Sequence, residues 1–213
     1  EYVVAILAVL ASGGIFLPLN TNFPSDRLKR ILDKTTPTLL ITSEPRVDDL
    51  AAKLPSDRPA AFSRLTDTLT DGTLIPHLLI ACLESRTSIR MKPALSPLAG
   101  SPDAERGCYI MCTSGSTGEP KAILGSATGL RHFIQWEIAE FDLDNSVRIS
   151  QLAPVSFDVS LRDLFVPLLC GGTVVIPYED VTRNPGSLLD WLEQTGITLS
   201  HMVPTLFRML TRE

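Results

Sequence analysis

The sequence is poor in the side chains that bind metals and nucleic acids. It holds three histidines and four cysteines, Cys82, Cys108, Cys112 and Cys170, with no C-x-x-C pair. Metal sites draw on Cys or His clustered at close spacing, so no metal ligand set is assigned. The cysteines read instead as small buried hydrophobes in a reducing, cytoplasmic setting. A basic excess is also missing, since 19 Lys and Arg stand against 24 Asp and Glu for a formal net charge of −5. A phosphate-backbone binder carries the opposite balance, which argues against nucleic acid as a partner. Charge is absent altogether between Glu1 and Asp26, where Tyr2 to Leu19 is almost wholly apolar. A membrane span needs about 20 such residues. This run is broken by Ser12-Gly13-Gly14 and by Pro18, so it reads as a buried helix, a glycine stop and a buried strand, not as a membrane or signal segment.

What is present is an ordinary folding composition: 44% hydrophobic and 20% charged residues over 213 positions. That excludes general disorder and allows one large domain or two small ones. Helix and strand patterns alternate along the chain. Helices are expected over 3–11, from an N-cap at Ser25 to Lys34, over 127–141 and 159–169, from an Asn184-Pro185 start to Gln194, and from Pro204 onward. Strands are expected over 15–19, 38–42, 108–112, 121–124, 147–152, 173–177 and 197–203. Between Ser43 and Gly107 the signal weakens to a short helix at 46–54, an ambiguous apolar run at 74–83 and a Pro-rich connector. Alternating strands and helices imply an α/β fold of mainly parallel sheets flanked by helices.

The densest chemical signal is Thr113-Ser114-Gly115-Ser116-Thr117-Gly118-Glu119-Pro120-Lys121, directly after an apolar strand. Glycines let backbone N–H groups approach an anion, hydroxyls donate further hydrogen bonds, and lysine adds a point charge. The combination suits a polyphosphate. It is neither a Walker A loop, which closes on Gly-Lys-Ser/Thr, nor G-x-G-x-x-G. The plain alternative is a serine-rich hairpin connection.

Tyr109 through Lys121 resembles the phosphate-loop signature of the adenylate-forming superfamily, whose members include amino-acid adenylation domains of non-ribosomal peptide synthetases, acyl- and aryl-CoA ligases and luciferases. Ala122 departs from it, standing where the family usually has glycine. Leu10 to Leu19 with Phe23-Pro24 and Arg27-Leu28 resembles the second core motif of the peptide-synthetase branch, and Phe157-Asp158-Val159-Ser160 the fourth. Gly196 to Thr205 resembles the strand and Val-Pro-Thr segment that follow. The likeness spans residues 1–213 and is weakest over 43–107.

The resemblance implies part of the large N-terminal subdomain of an amino-acid adenylation domain. Thr113, Ser114, Gly115, Ser116, Thr117, Gly118 and Lys121 would hold the phosphates of ATP, with Mg2+ in the intact enzyme. Asp158, Val159 and Arg162 would line the amino-acid site, Asp158 pairing with the α-ammonium group. The activated acyl group would pass to phosphopantetheine on a peptidyl carrier domain, beside condensation domains of the same assembly line. The family's catalytic lysine is expected beyond Glu213, and the chain begins inside the second core motif. A partial domain, inactive alone, is therefore expected.

Other readings remain open. Asp158 in isolation reads first as a cap for the helix after it, which would suit a ligase of non-amino carboxylic acids; the phosphate-loop likeness upstream turns the reading toward the amino-acid contact. A non-catalytic phosphate-binding or scaffold module is the third. Arg162, one helical turn from Asp158, reads as a partner for Asp158, as a contact for an acidic or polar substrate side chain, or as a solvated surface group. Phe157, Leu161, Leu164, Phe165 and Leu168 read as the core stripe of that helix, Trp136 and Trp191 as packing, and His132 and His201 as structural.

Overall fold

The computed structural model describes residues 2–20, 22–37, 39–42, 61–64, 79–83, 107–114 and 119–212. They divide into two compact units, Glu1–Gly129 and Leu130–Glu213.

The first unit opens with α1 (Tyr2–Ala11), which buries Tyr2, Ala5, Ile6 and Val9. Gly13, at φ 77°, takes the left-handed turn that stops it, and the Gly14 N–H returns to the Val9 carbonyl at 2.8 Å. Strand β1 (Ile15–Leu19) follows, then α2 (Ser25–Thr35). The cap of α2 is Pro24, not Ser25, and no side chain accepts at that end. Proline pre-sets the φ needed there, and Ser25 becomes the first helical residue. Leu28, Ile31 and Leu32 of α2 pack on Leu17 and Leu19 of β1, with Phe23, Ile110 and Cys112 against the cluster. Each such side chain stabilises by about 1.5–3 kcal/mol over exposure.

Strands β2 (Leu39–Thr42), β3 (Ala61–Arg64), β4 (Leu79–Leu83), β5 (Gly107–Ser114) and β6 (Pro120–Ser126) complete a six-stranded sheet in the order β3-β2-β4-β1-β5-β6. The β2–β3 and β1–β5 pairs are parallel, and β2–β4, β1–β4 and β5–β6 antiparallel. The weakly patterned 43–107 region thus supplies β3 and β4 to the sheet. The helix expected at 46–54 and the first part of the 74–83 run lie outside the described residues. Tyr109 of β5 lies over Gly125 of β6, where an added Cβ would collide with the ring.

The second unit holds most of α3 (Ala127–Glu140), then β7 (Arg148–Ser150), α4 (Val159–Cys170), β8 (Thr173–Val175), α5 (Glu179–Thr182), α6 (Pro185–Gln194), β9 (Leu199–Ser200) and α7 (Pro204–Leu210). Its sheet, β8-β7-β9, is wholly parallel. Asn184 caps α6 by accepting from the Gly186 and Ser187 N–H groups. Gly171, at φ 80°, ends α4. The strand expected over 197–203 is confined to Leu199–Ser200, and α5 had no sequence signal. On α4, Leu161, Leu164 and Phe165 are buried as expected, but Leu168 faces out, and Phe157, just before the helix, is 58% exposed. Trp136 is exposed too, in an aromatic row with Phe133 and Phe141. No helix among the described residues is long and apolar enough to cross a membrane.

Candidate functional site

The Gly/Ser/Thr stretch is the connection of an antiparallel hairpin. Ser114 of β5 stands opposite Pro120 of β6, and Thr113 opposite Lys121. Directly opposed residues share a face of the sheet, so the pairing sets Thr113 and Lys121, both exposed, on one face at the mouth of the connection. Gly115, Ser116, Thr117 and Gly118 lie outside the described residues, as does the Ser114 side chain. Ala122 sits opposite Cys112 in regular pairing, a place that makes no demand for glycine.

Helix α2 supports the far side of this hairpin. The Lys34 ammonium donates to the Pro120 carbonyl at 2.8 Å, and Arg30 lies 3.6 Å from the exposed Glu119 carboxylate. Burial pushes the Cys112 thiol up, with Arg27 and Lys34 pulling the other way. Burial also lifts Cys108 from 9.0 to about 11, which leaves it a protonated, poor nucleophile.

In the second unit, Asp158 immediately precedes α4, and its Oδ1 accepts from the Val159 N–H at 2.9 Å. Asp158 and Val159 are exposed. Arg162 does not pair with Asp158. Its Nε donates to Glu137 Oε2 at 3.1 Å and its Nη2 to Glu137 Oε1 at 2.7 Å, and the guanidinium lies 5.6 Å from the Phe133 ring centre. Glu137 Oε1 also lies 3.0 Å from His201 Nε2, while His201 Nδ1 lies 2.7 Å from Asp163 Oδ1. Glu137 and Asp163 are both 0% exposed. Glu137 is thus shared by Arg162 and His201, and the His201 ring bridges Glu137 to Asp163, so each buried acid meets a hydrogen-bonding partner, the arrangement that makes burial of such groups tolerable.

Residues 1–213 match the AMP-binding enzyme family. The chain belongs to that family. Among curated relatives, a dimodular nonribosomal peptide synthase of Bacillus subtilis (strain 168) is 30% identical over 99% of the chain and 8% of its own length. Enterobactin synthase component F of Escherichia coli (strain K12) is 29% identical over 95% of the chain and 14% of its own length. The chain thus spans only a small part of these relatives. The non-ribosomal peptide synthetase FmoA3, in its α-methyl-L-serine-AMP bound form, superposes with a TM-score of 0.76 at 24% identity, covering all of the chain and 21% of that protein. CmiS6 does so with a TM-score of 0.71 at 23% identity, covering 99% of the chain and 44% of that protein. The fold is therefore the α/β fold of these solved structures.

Around the hairpin the sequence pointed to Thr113 and Lys121 but not to Lys34; around α4 it pointed to Asp158 and Arg162 and read His201 as structural, but gave no role to Glu137 or Asp163. Glu137 and Asp163 left a faint trace. Glu137 stands three residues after the buried Ile134, and Asp163 lies between Leu161 and Leu164, so both acids fall on apolar faces. The pairing of His201 with Asp163, 38 residues away, leaves no local pattern.

Proposed function

We propose that the full-length protein uses ATP to activate an amino acid as an aminoacyl-adenylate and passes it to the phosphopantetheine thiol of a carrier domain. The observation that carries this reading is the hairpin that sets Thr113 beside Lys121 at the mouth of the Gly/Ser/Thr connection. A hydroxyl-bearing and an ammonium-bearing residue held on one face by strand pairing, flanking a glycine- and hydroxyl-rich stretch, fit the phosphates of a nucleotide. Thr113, Ser114, Gly115, Ser116, Thr117, Gly118 and Lys121 hold those phosphates. Mg2+ travels with them, because it binds substrate phosphates with few protein ligands, and among the described residues no three His, Cys, Asp or Glu side chains gather into a metal site.

Asp158, with Val159 and Arg162, forms the amino-acid contact. Its carboxylate takes the α-ammonium group in a charge-assisted hydrogen bond. The peptide-synthetase relatives support an amino acid as substrate, and carrier and condensation domains as partners. A second reading draws on the Asp158–Val159 hydrogen bond: if Asp158 serves only as a cap, the enzyme is a ligase of plain carboxylic acids.

ATP–pyrophosphate exchange by the full-length protein separates the two. Exchange is expected with α-amino acids and not with the same acids lacking the amino group. Asp158→Ala should lower kcat/KM for the amino acid by about 100-fold, the cost of leaving a charged partner unpaired. Equal exchange with deaminated acids, unchanged in that variant, would establish the second reading.

A further inference from the structure

Arg162 stands one helical turn after Asp158, where an arginine would ordinarily attract an acidic substrate side chain. Its charge is already committed. The two hydrogen bonds to Glu137 form a bidentate, side-on pair, the strongest geometry available between these groups. The ring of Phe133 on α3 lies against the same guanidinium, so its orientation is fixed from two directions. Glu137 is fully buried, and its other contact is His201. A carboxylate removed from water cannot give up its paired guanidinium without large cost. A substrate carboxylate reaching Arg162 would therefore meet a guanidinium whose charge is cancelled, with a second anion 2.7 Å behind it.

We propose that Glu137 sets substrate specificity: by neutralising Arg162 it makes the amino-acid site accept uncharged side chains and reject carboxylates. Glu137 acts through Arg162 and is a positioning residue, not a catalytic one. The inference rests on the reading of Asp158 and Arg162 as amino-acid contacts.

The test is ATP–pyrophosphate exchange by the full-length protein, with kcat/KM compared between isosteric pairs, aspartate against asparagine and glutamate against glutamine. The parent should favour the amide at least tenfold in both pairs. Glu137→Gln keeps the shape and drops the charge, and should shift each acid-to-amide ratio at least tenfold toward the acid. A merely structural loss would lower both members of a pair and leave the ratio alone. The double variant Glu137→Gln/Arg162→Met, which removes the anion and its cation together, supplies an independent measure should Glu137→Gln fail to fold. Because the two charges cancel in the parent, its acid-to-amide ratio should stay within threefold of the parent. A parent that favours acids, a folded Glu137→Gln with unchanged ratios, or a tenfold fall in the ratio for the double variant would each overturn the inference while leaving amino-acid activation standing. Exchange with deaminated acids alone would overturn the functional reading, and the inference with it.

Discussion

Around the hairpin of the first unit the charged side chains face solvent: Lys121, Glu119 and Arg30 are all exposed, and backbone pairing sets Lys121 opposite Thr113. Around α4 of the second unit the reverse holds. Glu137 and Asp163 are buried, and charges hold one another across α3, α4 and the residue after β9. The first arrangement costs little and tolerates loss of any one charge, because water replaces the partner. The second is over-determined, since removing one member strands the others in a poor solvent. Placement by backbone and placement by buried charge thus differ in how they fail.

The largest expected effect comes from breaking the buried arrangement. Asp163→Ala leaves a His201 nitrogen without its carboxylate and should cost about 3–5 kcal/mol, a fall in Tm on the order of 10 °C. Hydrogen exchange should localise the loss to residues 130–213, with α1 and α2 keeping their protection. Uniform loss over both units would erase the contrast drawn here.

A smaller effect tests whether burial matters in the first unit. Cys108 is held at about 11 from an ordinary 9.0 by burial. The folded state keeps the thiol proton longer than the unfolded chain does. Stability should therefore be full below pH 9.0 and fall as pH rises toward about 11, by up to about 2–3 kcal/mol. Urea melts at stepped pH would show that slope, and Cys108→Ala should flatten it despite its own packing cost.

The smallest effect belongs to the exposed side. Lys34→Met removes the hydrogen bond to the Pro120 carbonyl and should cost about 1 kcal/mol. On the proposed function it raises KM for ATP by up to about fivefold and leaves KM for the amino acid unchanged. A large change in the amino-acid KM would show that the two units are not independent in this respect.

These outcomes bear on what the sequence could disclose. The hairpin was legible because its chemistry is contiguous: Thr113 to Lys121 spells the connection and both its flanks. The helices with strong periodicity and clear stops, α1 at Gly13 and α4 at Gly171, were legible for the same reason. Local pattern could not show β3 and β4, whose role depends on pairing with β2 and β1. Nor could it show Arg162's true partner, since nothing near Arg162 distinguishes Glu137 from Asp158, and Asp158 is the nearer in sequence. The Ser25 cap failed on a single competing effect, Pro24 fixing the turn one residue earlier.

The hairpin register also bears on which insertions and deletions this region can absorb. Side chains alternate between faces along β6, so one residue added between Pro120 and Ser126 carries Lys121 to the opposite face, away from Thr113, or forces a bulge to absorb it. A residue added between Ser114 and Pro120 leaves every pair from Thr113–Lys121 outward in place. The strand register is therefore indifferent to length on one side of Pro120 and disturbed by it on the other, so an insertion before Pro120 changes the phosphate-holding stretch alone, whereas one after it also displaces Lys121.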